Sequence, residues 1–147
     1  MTGYGADTTT SEVLEDHYLA GRHFMITGAS SGLGEESARA LSQAGATVTL
    51  LARNLEKLEA AKERIQGSVP SADLRIGVVD LADLTSIRDY AENFLAKGAA
   101  INVLINNAGI MACPFMKTAD GFEMQFGTNH IGHFLLTNLL MPAIKAG

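Results

Sequence analysis

Three glycines at positions 28, 32 and 34 follow a short apolar run, Phe24-Met25-Ile26, that stops at Thr27-Gly28. A helix-forming run, Glu35-Glu36-Ser37-Ala38-Arg39-Ala40-Leu41, comes next. Strand, glycine-rich turn and helix together bring a diphosphate onto a helix N-terminus, where unpaired N–H groups and the helix dipole favour its charge. Gly28 is expected to make the tight turn and Gly32 to let the backbone approach a ligand. Gly34 is expected to let the helix pack closely. The alternative is a structural turn with no ligand. A second chemical signal is Leu51-Ala52-Arg53-Asn54. A site for NAD usually carries an acid here to accept the ribose 2′-OH. Ala52 leaves that place empty and Arg53 follows, and a guanidinium pairs well with a 2′-phosphate, which favours NADP over NAD. Arg53 otherwise reads as a solvated surface charge.

These residues need a scaffold, and the rest of the chain supplies its pattern. A helix from about Leu33 to Ala44 is closed by Gly45. Thr47–Leu51 reads as a strand buried on both faces. Leu55–Ile65 is helical, with Leu55, Leu58, Ala61 and Ile65 on one side. Leu74–Val79 is a third strand, Leu84–Ala96 a helix closed by Gly98, and Asn102–Ile105 a fourth strand. A long helix is expected from about Ala119 to Pro142, carrying Phe122, Phe126, Ile131, Phe134, Leu135 and Leu139. The alternation predicts an α/β fold, a Rossmann-type doubly wound parallel sheet with strand order 3-2-1-4. It is expected to be truncated after the fourth strand and the long helix, because strand four would otherwise remain an open apolar edge. Residues 1–21 form a polar arm. In it Thr9-Thr10-Ser11-Glu12 matches a capping box for a short helix, unless the arm is a loose leader. Residues 22–147 are the NAD(P)-binding domain.

Composition narrows the partners. The 147 residues are 47% hydrophobic and carry a net charge of −5 without a basic block, which argues against a nucleic-acid surface. No apolar run approaches the length of about 18 residues that spans a bilayer, and no signal peptide is visible. The single Cys113 excludes an internal disulfide and fits a reducing compartment. The expected location is cytoplasmic. His130 and His133 stand at i and i+3 without Cys or carboxylate ligands nearby in sequence. They read as helix-face histidines, and no metal is expected.

The pattern T-G-x-x-x-G-x-G, with Asp80-Leu81 and Asn106-Asn107-Ala108-Gly109 at successive strand ends, resembles the short-chain dehydrogenase/reductase family. The similarity runs from Leu19 onward, and Asn102–Leu140 is most similar to the retinol-dehydrogenase-like branch. The resemblance implies that Gly28, Ser30, Ser31, Gly32, Leu33 and Gly34 surround the pyrophosphate and adenosine ribose. It implies that Asp80 bonds the adenine amino group while Leu81 packs on the ring, though Asp80 could instead cap its own loop. Asn107, Ala108 and Gly109 would line the cofactor, and Asn129 would be the catalytic asparagine of a proton relay.

The family moves hydride between NAD(P) and an alcohol or carbonyl, using a tyrosine with a lysine four residues on and a serine. The proton in transit needs a donor tuned towards neutral pH. Here the residues four beyond Tyr4, Tyr18 and Tyr90 are Thr8, Arg22 and Phe94. The expectation is therefore the cofactor-binding part of an NADP-preferring oxidoreductase, inactive alone, with a small alcohol or carbonyl as the parent protein's substrate. The long helix builds a dimer interface in many family members, which makes a homo-oligomer an expectation as well. The rival is a non-catalytic dinucleotide-binding module. An extended-family nucleoside-sugar epimerase shares the first turn, but Asn106–Gly109 and the long helix count against it.

Overall fold

The computed structural model describes residues 3–147; the first two residues of the arm lie outside it. Four parallel strands form one sheet in the order β3-β2-β1-β4, the order the alternation predicts. They are β1 (His23–Thr27), β2 (Thr47–Ala52), β3 (Asp73–Val78) and β4 (Val103–Ile105). Met25 of β1 stands between Thr49 of β2 and Leu104 of β4, which fixes the register. Helices α1 (Thr10–Leu14), α2 (Gly32–Gln43), α3 (Leu55–Ser68) and α4 (Leu84–Leu95) precede or separate the strands.

Strand alternation divides the core into two layers. Ile26, Val48 and Leu50 pack with Ala38 of α2 and Leu58 and Ile65 of α3 on one face of the sheet. Met25 and Leu51 pack on the other face with Ile87, Ala91 and Phe94 of α4. Burial on both faces is why β2 reads as an almost unbroken apolar run. Among the described residues β4 pairs only with β1, and Val103 is 39% exposed. No helix among them is long and apolar enough to cross a membrane.

The long helix differs from expectation at both ends. Residues 119–123 are a turn: Gly121 has φ +87°, and Lys117 and Glu123 form an isolated antiparallel bridge. Glu123 then caps the helix, its carboxylate accepting Gln125 N–H at 2.9 Å and Phe126 N–H at 2.8 Å. From there α5 (Met124–Phe126), a π-helical segment (Gly127–Gly132) and α6 (His133–Lys145) run end to end, and α6 continues past Pro142. Pro142 and Asn138, whose carbonyl loses its α-helical partner to the proline ring, are both exposed. The buried stripe of α6 is His133, Leu136, Leu140 and Ala143. Phe126 and Phe134, by contrast, are 54% and 63% exposed.

The arm carries the expected capping box. Thr9 Oγ1 accepts Glu12 N–H at 3.3 Å, and the Glu12 carboxylate accepts Thr9 N–H at 2.6 Å. With no buried residue, α1 is held by polar contacts to α2. Thr10 Oγ1 donates to Glu36 at 2.5 Å, and Arg39 bridges Glu36 at 2.7 Å and Ser11 Oγ at 3.1 Å. The Arg39 guanidinium, with help from Thr10, holds the Glu36 carboxyl down to about 2, against an ordinary 4.5. A depressed carboxyl stabilises the fold above its unfolded value and ceases to do so as pH falls through the folded one. The Glu36 side chain is 44% exposed, so screening reduces the effect to about 0.5 kcal/mol. Glu36→Gln should therefore loosen α1 at neutral pH, speeding hydrogen exchange of Val13 and Leu14 about twofold. The difference from wild type should close between pH 4.5 and 2.

Candidate functional site

A cleft of about 600 Å³ opens where the chain leaves the C-terminal ends of the strands. This edge is where open α/β sheets bind ligands. Its floor is the turn after β1. Gly28 takes φ +67° and Gly32 φ +59°, conformations that disfavour a side chain. A Cβ on Gly28 would stand 2.8 Å from Ala108 Cα, and one on Gly34 would stand 2.5 Å from Gly28 O. At Gly32 a Cβ would meet nothing within 4 Å, so that face is open. Ser31 occupies the N-cap of α2 but its side chain makes no cap hydrogen bond. The first N–H groups of α2 thus remain available as donors.

Ser30, Leu33 and Gly34 line the same cleft as Gly28 and Ser31, and Leu33 is 81% exposed there. From the end of β2 come Ala52, Arg53 and Asn54, and from the first turn of α3 comes Lys57. Asn54 caps α3 by accepting Lys57 N–H at 2.8 Å, which fixes where the lysine starts. Among the described residues neither Arg53 nor Lys57 pairs with a carboxylate. Two free cations therefore stand at one end of the cleft.

Asp80 and Leu81, after β3, also line it. Asp80 does cap its own loop, accepting Ala82 N–H at 2.9 Å, and that bond engages one carboxylate oxygen, Oδ1. Asn107, Ala108 and Gly109 form the opposite wall. Asn107 Nδ2 donates to Thr27 O at 2.9 Å, and Asn107 N–H and Ala108 N–H both donate to Thr27 Oγ1, at 2.9 and 3.0 Å. These bonds stitch the end of β1 to the end of β4. Asn129, in the π segment, lies beside this wall rather than in the cleft lining. Its Oδ1 accepts Ile110 N–H at 2.9 Å and its Nδ2 donates to Ile110 O at 2.8 Å, so both ends of its amide are tied to the Ile110 backbone.

A family model, short chain dehydrogenase, matches residues 22–147. The chain belongs to the short-chain dehydrogenase family. Retinol dehydrogenase 11 of Homo sapiens is 48% identical over 127 residues, which are 86% of this chain and 40% of that protein. An uncharacterized protein from Mycobacterium paratuberculosis has a solved structure with TM-score 0.79 and 44% identity, over 92% of this chain and 46% of that one. A metagenomic short-chain oxidoreductase solved in complex with NADP has TM-score 0.73 and 33% identity, over 87% and 58%. The chain thus spans less than half the length of the curated relative it matches.

Short-chain dehydrogenases are oxidoreductases, and two features of this member's cleft escaped sequence reasoning. Lys57 sits beside Arg53; its signal was its place at the third position of a helix capped by Asn54. Thr27, 1% exposed, is the hub between the two turns, and His133, 7% exposed, reaches it with Nε2 at 2.8 Å. His133 is therefore an interior residue. His130 does remain on the surface, stacked on Phe126 with ring centroids 5.3 Å apart. The stripe His133-Leu136-Leu140 at helical spacing was the available signal for the buried histidine.

Proposed function

We infer that the cleft holds NADP(H) and that the whole protein transfers hydride between that cofactor and an alcohol or carbonyl. The observation that carries the reading is the pairing of open N–H donors at the α2 N-terminus with two unpaired cations, Arg53 and Lys57. A dinucleotide phosphate needs both, one for its diphosphate and one for its 2′-phosphate. In this reading the backbone from Gly28 to Gly34 cradles the diphosphate, with Ser30, Ser31 and Leu33 beside the ribose. Asp80 offers its remaining carboxylate oxygen to the adenine amino group, and Leu81 gives an apolar wall. Asn107, Ala108 and Gly109 bound the other side of the cofactor. The bound nicotinamide supplies or accepts the hydride.

The proton that accompanies hydride transfer has no donor among the described tyrosines. Tyr4 and Tyr18 belong to the exposed arm. Tyr90 is packed over Gly77, and burial pushes its phenol above the usual range, the opposite of what a general acid needs at neutral pH. The proposed division of labour is that these 147 residues bind cofactor, position it and contribute Asn129. The similarity to a retinol dehydrogenase favours a lipophilic substrate for the whole protein. A second reading is a dinucleotide-binding module without turnover, which the same open N–H donors and unpaired cations would serve.

Titration of the chain with NADPH and NADH, followed by nicotinamide fluorescence, tests the cofactor reading. Saturable NADPH binding at least about tenfold tighter than NADH is expected, with no turnover of alcohols or carbonyls by this chain alone. Failure to bind either nucleotide would remove the cofactor assignment.

A further inference from the structure

The π segment grips the Asn107–Ile110 wall of the cleft at both ends. Asn129 holds Ile110 through both of its backbone polar groups, at 2.9 and 2.8 Å. At the other end His133 reaches Asn107 and Ala108 through Thr27. The His133 ring contacts two partners, Asn129 O at 2.9 Å with Nδ1 and Thr27 Oγ1 at 2.8 Å with Nε2. The His133 backbone N–H turns instead to His130 O. In a regular α-helix that amide would occupy the carbonyl of Asn129. π-helical segments such as Gly127–Gly132 gather at functional sites.

Hydrogen-bond chemistry allows this network only one direction. A carbonyl oxygen accepts only, so Nδ1 of His133 carries the hydrogen that Asn129 O receives. The neutral ring then offers Nε2 as an acceptor, and the Thr27 hydroxyl hydrogen points to it rather than to Ile105 O at 3.4 Å. The two lone pairs of Thr27 Oγ1 remain for the N–H groups of Asn107 and Ala108. Every donor and acceptor is used, in a site where both side chains are buried.

We propose that His133 is a positioning residue that couples the cofactor wall Asn107–Gly109 to the Asn129 carbonyl through the Thr27 hydroxyl. The proposal rests on the reading of the cleft as a dinucleotide site. A cofactor seated against Ala108 and Gly109 presses on amides whose acceptor is Thr27, and Thr27 is oriented by the imidazole. Asn129 is oriented by the same ring. Only imidazole fills both posts. Asparagine at this position keeps a donor near Asn129 O and loses the acceptor for Thr27. Glutamine keeps an acceptor near Thr27 and loses the donor.

Nitrogen NMR of the ¹⁵N-histidine-labelled protein, combined with NADPH titration of variants, tests it. The expected wild-type ring is protonated on Nδ1 and bare on Nε2, and its Nε2 signal shifts on addition of NADPH. Thr27→Val and His133→Asn are each expected to weaken NADPH binding about tenfold, and together by no more than the weaker-binding single variant. Thr27→Ser and His133→Gln, which keep the hydroxyl and the acceptor, should recover affinity to within about threefold of wild type. A ring protonated on Nε2, an Nε2 signal unmoved by bound NADPH, or strictly additive losses would overturn the coupling. A wild-type protein with the assigned tautomer that binds no NADPH would instead overturn the cofactor reading, and this proposal with it.

Discussion

Replacing Arg53 with alanine should weaken NADPH binding by about tenfold to a hundredfold while leaving NADH binding within about twofold of wild type. A 2′-phosphate presents close to two negative charges and three acceptor oxygens. Arg53 brings a planar fork of donors that matches that geometry, and a hydrogen bond to a charged group is worth about 1.5–3 kcal/mol. Lys57 brings a point charge on a flexible stem, so Lys57→Ala should cost NADPH only about threefold to tenfold. Neither side chain has a carboxylate partner among the described residues, so neither variant strands a charge elsewhere. The effect on folding stability should be small. Both cations are exposed, and the preference for NADPH should fall as ionic strength rises. Arg53→Asp places a carboxylate next to Ala52, where it can accept from a free 2′-OH and repel a 2′-phosphate, so the preference should reverse. Affinity measurements for both nucleotides against all three variants check this. Equal losses for NADPH and NADH would mean that the cations act on the diphosphate or on the fold.

How far the sequence revealed this site depends on whether local chemistry or register decided each part. The sheet was legible because apolar runs of strand length are bounded by Gly, Asp and Asn. The order 3-2-1-4 followed because crossover handedness leaves little choice. The glycine turn was legible because positions 28 and 32 need backbone that other residues resist. Its third glycine carries a different constraint, since Gly34 lies in a regular helical turn and is small because Gly28 O and Asn107 lie against it. The start of the long helix was not legible. Phe122 stands at helical spacing from Phe126, yet the bridge between Lys117 and Glu123 and the positive φ of Gly121 hold it in a turn. The spacing of Asn129 and His133 showed that they share a helix face. It did not show that the backbone leaves the α-helical pattern there, so that His133 N–H bonds His130 O while the imidazole takes the Asn129 carbonyl. Gly132 is packed so tightly on the Leu81 backbone that a side chain there would collide with it.

The three glycines of the turn should respond differently to the same methyl group. In Gly34→Ala the new Cβ would lie 2.5 Å from Gly28 O and 2.6 Å from Asn107 Nδ2. Backbone on one side and a stitched amide on the other leave little room to give, so the cost is that of overpacking, about 1–3 kcal/mol. Gly28→Ala adds to a clash with the Ala108 backbone, at 2.8 Å, the strain of a left-handed residue, about 1–2 kcal/mol more. Gly32→Ala has only the second term, because its Cβ meets nothing within 4 Å. Denaturant midpoints should therefore fall in the order wild type, Gly32→Ala, Gly34→Ala, Gly28→Ala. NADPH binding should follow another order. A Cβ on Gly32 would stand in open space at the start of α2, beside its free N–H groups, so a folded Gly32→Ala protein should lose at least about tenfold in NADPH affinity if the diphosphate sits there. This contrast separates a glycine kept for the fold from one kept for a ligand. A Gly32→Ala protein that is folded and binds NADPH as wild type does would show that the diphosphate approaches elsewhere. A Gly34→Ala protein as stable as wild type would show that α2 can shift away from β1 at little cost.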